Sequence, residues 1–316
     1  MRSVLISSLF IWIPVGVVSS IIIIFLLLSY FCYKTIFYSK NKKSSEQYPL
    51  PPGREYLKYK DDIIGYMKQV DELPCEEISI KSFDGLTLKA RYYECEKGAP
   101  IELMLHGYRG NARRDLSGGV IRAFKHKRNV LLVDNRGSGA SEGHIITFGV
   151  NESKDCLDWI NYIITNINVD AKIILTGVSM GAATVLITSS FDLPQNVIGV
   201  IADCGYTSTK DIIKKVMKDI RLPASLFYPF VKLGAKIFGK FSIDKYSPIK
   251  AMENSKLPII FFHGDIDGFV PYEMSVENYN KCKTKKQLVT ITGAGHGLCY
   301  VKDPEKYLLE LENFFN

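Results

Sequence analysis

Gly177-Val178-Ser179-Met180-Gly181 follows the aliphatic run Ile173-Ile174-Leu175 and leads into Ala182-Ala183-Thr184-Val185-Leu186. The first run has the make-up of a buried strand and the last is compatible with a helix. A chain passing from one to the other across five residues must turn sharply, and the turn pushes the serine hydroxyl into the open. The flanking glycines let the backbone pass without a Cβ clash, and Ala182 suits the same crowding. A serine between two glycines is by itself an ordinary turn. The strand-turn-helix setting is what makes Ser179 a candidate nucleophile.

Outward from this turn, short apolar runs recur at 101–105, 129–133, 172–175, 197–201, 257–262 and 287–291, mostly with helical stretches between them. Before them, 77–83 and 86–93 alternate apolar and polar residues around Asp84-Gly85, the signal of a hairpin. Continuous apolar strands separated by helices need a sheet covered on both faces, so the expected architecture is an open, mostly parallel alpha/beta sheet of about eight strands. A short amphipathic helix over 56–70 precedes the hairpin, and a final helix runs over 304–315. The connection 206–255 is too long for a simple crossover and reads as an insertion. Its lysines alternate with residues such as Ile212, Ile213, Phe227 and Phe230, which predicts a helical lid with its apolar face toward a pocket.

Three further turns stand at strand ends. Run 101–105 ends in His106-Gly107-Tyr108-Arg109-Gly110, and run 129–133 ends in Asp134-Asn135-Arg136-Gly137-Ser138-Gly139-Ala140-Ser141-Glu142-Gly143. Run 257–262 ends in His263-Gly264-Asp265-Ile266-Asp267-Gly268-Phe269-Val270-Pro271, where two aspartates compete for the role of an acid. Of the five histidines, only His296, in Gly293-Ala294-Gly295-His296-Gly297, follows the last strand. A loop there can carry an imidazole to a serine elsewhere on the sheet edge.

These motifs, in this order, resemble the alpha/beta-hydrolase superfamily, and within it the lipase-like and serine-aminopeptidase-like branch. The resemblance runs from residue 77 to the C-terminus. It implies a triad in the chain order Ser179, Asp267, His296, because the pattern HG-x-x-D-x-x-VP puts the acid at Asp267 and leaves Asp265 to hold the loop. It implies an oxyanion hole made by the backbone amides of Met180 and, from the HG-x-x-G turn, Tyr108. His106 would prop that turn, and Arg136 would brace loops around the pocket. The implied reaction is hydrolysis of an acyl bond through a serine acyl-enzyme, with no metal and no organic cofactor. A carboxylic ester leads as substrate, since alcohols leave more readily than amines and the insertion suits a lipid-like acyl chain. An aminopeptidase or other amidase of the same fold is the alternative. A non-catalytic, membrane-anchored binding protein is a third reading, although such proteins usually lack a triad member.

The rest of the chain bounds the setting. The net charge of +7 comes from scattered lysines without a nucleic-acid motif, which argues against a nucleic-acid partner and fits an anionic membrane surface. Seven cysteines, an odd number without CxxC or metal-ligand spacing, read as free thiols and favour a reducing compartment. No charged residue stands between Ser3 and Tyr33, and the run ends in Tyr30, Phe31 and Tyr33 rather than in a small-residue cleavage site. That predicts an uncleaved single-pass anchor over 1–34. Lys34, Lys40, Lys42 and Lys43 on one flank, against Arg2 on the other, put the catalytic domain on the cytoplasmic side. Residues 35–53, ending in Tyr48-Pro49-Leu50-Pro51-Pro52-Gly53, read as a basic, stiff linker, and 54–316 as the hydrolase domain.

Overall fold

The computed structural model of the protein describes residues 2–40 and 46–315, with side chains from residue 14 onward. Lys42, Lys43 and the side chain of Arg2, all used in the topology argument, lie outside the described residues.

Eight strands form one sheet: β1 (Glu76–Lys81), β2 (Thr87–Tyr93), β3 (Ile101–Leu105), β4 (Asn129–Asp134), β5 (Ile173–Val178), β6 (Val197–Asp203), β7 (Ile259–Gly264) and β8 (Lys286–Ile291). Their order across the sheet is β1-β2-β4-β3-β5-β6-β7-β8. β1 and β2 form the expected antiparallel hairpin, β2 meets β4 antiparallel, and the remaining pairs are parallel. β5 and β6 continue past the runs read in the sequence because their ladder persists to Val178 opposite Asp203. Pairing, not apolarity, sets where a strand stops.

The helices are α1 (Arg2–Ile36), α2 (Lys60–Glu72), α3 (Ala112–Lys125), α4 (Glu152–Tyr162), α5 (Met180–Thr188), α6 (Thr209–Asp219), α7 (Ala224–Ile237), α8 (Pro248–Ala251), α9 (Tyr272–Lys281), α10 (Cys299–Lys302) and α11 (Pro304–Phe315). Alternate strand residues feed opposite faces of the sheet. Leu103, Leu105 and Leu175 pack with Trp159 of α4, whereas Met104 packs with Leu116 and Val120 of α3. α5 is buried along its whole length. That placement holds its N-terminus, where Ser179 sits, at the centre of the carboxyl edge of the sheet.

One residue breaks the apolar run of β3. Glu102 is wholly buried and holds Arg122 at 3.1 and 2.5 Å, Arg128 at 2.9 Å and the Thr176 hydroxyl at 2.9 Å. Burial works to raise its pKa, but the two guanidiniums outweigh burial and hold the carboxyl at about 2. A buried charge of this kind is tolerated only because every partner is present.

The insertion between β6 and β7 exists, as α6, α7 and α8. Its apolar side, however, does not face a pocket. Phe230 and Val231 of α7 pack with Tyr33 and Phe37, and Gly234 lies so close to α1 that a Cβ there would stand 2.3 Å from the Ser29 carbonyl oxygen. The expected lid face is covered by the N-terminal helix. Phe37 is completely buried between the rings of Phe148 and Phe241, at 5.8 and 5.2 Å. Its carbonyl accepts from the Ile146 amide, and the Ser39 amide donates to His144. Packing therefore does not follow a division at residues 34 and 53, since the end of α1 and the strand-like segment after it are built into the core.

Candidate active site

Ser179 occupies the turn between β5 and α5 with φ 56° and ψ −115°, a backbone conformation that costs a non-glycine residue energy and marks functional turns. The two glycines are required by space. A Cβ on Gly177 would lie 2.2 Å from the Gly181 backbone, and one on Gly181 would lie 1.9 Å from the Leu105 carbonyl oxygen. The turn is thus pressed against the end of β3, which carries the His106–Gly110 turn. Met180 is the first residue of α5, where backbone amides have no partner within the helix.

His296 stands in the loop after β8 and bridges two side chains. Its Nε2 is 2.9 Å from Ser179 Oγ, and its Nδ1 is 2.7 Å from Asp267 Oδ2. An ionised carboxylate only accepts, so Nδ1 carries the proton and Nε2 offers its lone pair to the hydroxyl. Asp267 is fixed in turn: its Oδ1 accepts the amides of Phe269 and Val270, both at 2.8 Å. Burial works to raise its pKa, but hydrogen bonds from His263 and His296 prevail and keep Asp267 well below the usual carboxylate range. His263 Nε2 faces both Asp267 Oδ2 at 3.3 Å and the Val270 carbonyl at 3.0 Å, and a carbonyl only accepts, so this nitrogen is protonated. Asp265, the competing acid, lies elsewhere and accepts the Gly293 amide at 2.6 Å, tying the β7 loop to the loop that carries His296.

His106 is buried and structural in its contacts, with Nδ1 donating to the Gly107 carbonyl at 2.8 Å and Nε2 accepting the Asn135 amide at 3.0 Å. Tyr108 and Arg109 of the same turn reach the end of α1. The Tyr108 hydroxyl donates to the Ile36 carbonyl at 2.6 Å, and the Arg109 guanidinium donates to those of Thr35 and Tyr38 at 2.6 and 3.1 Å. Arg136 does not line the site; it clamps Asp84 of the hairpin turn and Asp155 of α4, a bracing role at a different place from the one expected.

Ser179 and His296 open on a cavity of about 400 Å³ that runs between α2, α3 and α10. Its apolar wall includes Tyr56, Ile63, Met104, Leu116 and Val178. Adjacent glycines Gly118 and Gly119 thin the wall on the α3 side, where a Cβ would come within 3.2 Å of Tyr66 and 3.3 Å of Met104. None of the described residues of the 206–255 insertion lines it. Pro51 and Pro52, read from the sequence as linker, do, as does Glu55 just beyond them, and the Tyr56 hydroxyl donates to the His296 carbonyl at 3.0 Å. These residues carry no sequence signal of a site, because proline-rich stretches look alike whether they bridge domains or roof a cavity.

The chain's similarities bear on the fold. A family model described as alpha/beta hydrolase fold matches residues 103–222. The Pyrococcus furiosus esterase Pf2001 superposes with a TM-score of 0.63 over 84% of this chain and 97% of that one, at 22% identity. The chain has the alpha/beta-hydrolase fold. Among curated relatives, YqkD of Bacillus subtilis is 24% identical over 60% of this chain, and that match spans 62% of YqkD, under two thirds of its length. The alpha/beta hydrolase domain-containing protein WAV2 of Arabidopsis thaliana is 27% identical over 72% of this chain and 68% of its own. Ser179, the loop after β7 and the loop after β8 meet at the carboxyl edge of this sheet. The Cys204 thiol also lies within 4.8 Å of the donor atoms of Asp267 and His296. Burial raises its pKa well above the usual thiol value, which makes it a poor metal ligand.

Proposed function

We propose that the protein is a serine hydrolase acting on a carboxylic ester with an apolar acyl group, and that α1 tethers it to a membrane. The observation that supports this best is the unbroken relay Asp267–His296–Ser179, at 2.7 and 2.9 Å, opening on an apolar cavity. In this reading Ser179 attacks the carbonyl while His296 takes its proton. The amides of Met180 and Tyr108 hold the oxyanion, and His296 returns the proton to the leaving alcohol. Water then repeats the sequence to release the acid.

An amidase that grips a substrate amine would need carboxylates in the pocket. Those of the insertion are engaged elsewhere, Asp211 by the Ser208 hydroxyl at 2.5 Å, Asp219 by Lys215 at 2.7 Å, Asp244 by Lys232 at 2.5 Å and Glu253 by Lys281 at 3.3 Å. Asp115 lines the cavity but is paired with Arg114 at 2.6 Å, Asp203 lines it as a buried carboxyl whose pKa burial pushes up, away from the ionised form that would grip an ammonium, and Glu55 stands at the rim. We therefore expect p-nitrophenyl esters of medium chain length to be hydrolysed faster than aminoacyl anilides. A preference for anilides would replace the esterase reading with the amidase one, and a folded protein that no fluorophosphonate probe labels would point to the non-catalytic binder.

The attachment of Tyr108 to α1 gives a second expectation. Tyr108→Phe keeps the ring and the backbone amide but removes the bond to Ile36. A hydrogen bond of this kind contributes about 0.5–1.5 kcal/mol, so kcat should fall roughly two- to tenfold with KM little changed. An unchanged kcat would show that the turn is held without α1.

A further inference from the structure

The contacts between α1 and α7 follow one register. The ring of Phe25 meets that of Phe230 at 5.0 Å, the Ser29 carbonyl sits against Gly234, and Tyr33 meets Phe238 at 5.9 Å. Each contact is one helical turn on from the last in both helices, so α1 and α7 lie side by side and run in the same direction. One turn earlier, Leu226 falls level with Ile21, about 6 Å nearer the N-terminal end of α1. Beyond it lies the corner that joins α6 to α7.

From Val15 to Leu27, α1 exposes almost uninterrupted apolar side chains, and about 20 such residues cross a bilayer. The protein's own core covers the helix only from its later turns onward, at Ser29, Cys32 and Tyr33. The domain therefore begins where the exposed part of the helix ends, with no slack between them. Whatever projects from the domain toward Ile21 must enter the space that the bilayer fills.

The α6–α7 corner does so, and we propose that it is a second membrane contact, with Ile220, Leu222 and Leu226 in the acyl region of an anionic bilayer. This rests on the reading of α1 as a membrane span. All three side chains are exposed, Ile220 to 62% and Leu226 to 58%, without an apolar partner among the described residues that would account for them. Much of the corner's backbone suits lipid, because the amides of Ile220, Arg221, Leu222 and Leu226 are satisfied internally, by the carbonyls of Val216, Lys218, Met217 and Pro223. Lys218 and Arg221, exposed on either side of Ile220, have stems long enough to lift their charges to lipid phosphates. Two contacts, one spanning and one partial, would fix the tilt of the domain on the membrane as well as its distance.

The test uses the full chain in vesicles of phosphatidylcholine brominated on its acyl chains, mixed with phosphatidylglycerol. The wild type carries two tryptophans, Trp12 in α1 and the buried Trp159. Leu226→Trp and Leu222→Trp, each combined with Trp12→Phe, add a reporter at the corner. We expect the bromolipid to remove most of the added emission, which should be blue-shifted and inaccessible to aqueous acrylamide. Quenching of Trp12 in the wild type, with corner reporters that acrylamide reaches and bromine does not, would overturn the second contact and leave the span intact. No quenching of Trp12 would overturn the span, and the corner proposal with it.

Discussion

Ser179→Ala should lose on the order of 10⁶-fold in kcat toward any ester the wild type cleaves, the scale seen when a triad serine is removed while the rest of the site remains. The loss is large because the relay acts as a unit: without Oγ, the imidazole has no proton to take and the oxyanion amides have no tetrahedral adduct to hold. The fold should be untouched. Among the described residues Ser179 Oγ is bonded to His296 alone, and alanine meets the positive φ at the same cost as serine. Melting temperature and fluorophosphonate labelling, measured on the same preparation, separate the two effects. Labelling should vanish while the melting temperature stays. A variant that still turned over, or that labelled at another residue, would mean that a different nucleophile does the work.

Asp267→Asn should cost about 10⁴-fold in kcat, for a reason that the hydrogen bonds make specific. Oδ1 of Asp267 accepts two backbone amides, from Phe269 and Val270, so an asparagine would keep its carbonyl oxygen there. Its NH₂ would then face His296 Nδ1 and donate to it. That forces the proton onto Nε2, the nitrogen that must be bare to deprotonate Ser179. Asp265→Asn, which weakens only the bond to the Gly293 amide, should cost tenfold or less, the range for one hydrogen bond in a loop. If Asp265→Asn proved the more damaging of the two, the relay drawn through Asp267 would be wrong. The carboxylate of Asp267 stays ionised to lower pH than an ordinary aspartate because its histidine partners outweigh its burial, so an ordinary carboxylate titration should not limit activity on the acid side.

Much of this site was legible in residue order because its chemistry is local to strand ends. The elbow can be read from Gly177, Ser179 and Gly181 in their strand-turn-helix setting, and the fold shows why the glycines are needed, since Cβ atoms there would sit 2.2 and 1.9 Å from backbone. The choice between Asp265 and Asp267 could not be read from composition, both being aspartates two residues apart on one loop; the resemblance pointed to Asp267, and its carboxylate is the one that meets the imidazole. Glu102 was lost inside an apolar run because its partners, Arg122 and Arg128, come from a helix and a loop that only the fold brings beneath β3.

The sequence by itself determined the parallel sheet, the elbow and the residues at its carboxyl edge, because backbone sterics and side-chain periodicity act over a few residues. Tertiary structure alone decided what covers what. An amphipathic helix has an apolar face by its sequence, but which surface fills that face depends on competition among all the apolar surfaces in the molecule. Here α1 took the face of α7, and the segment around Pro51 and Tyr56 was left to roof the cavity.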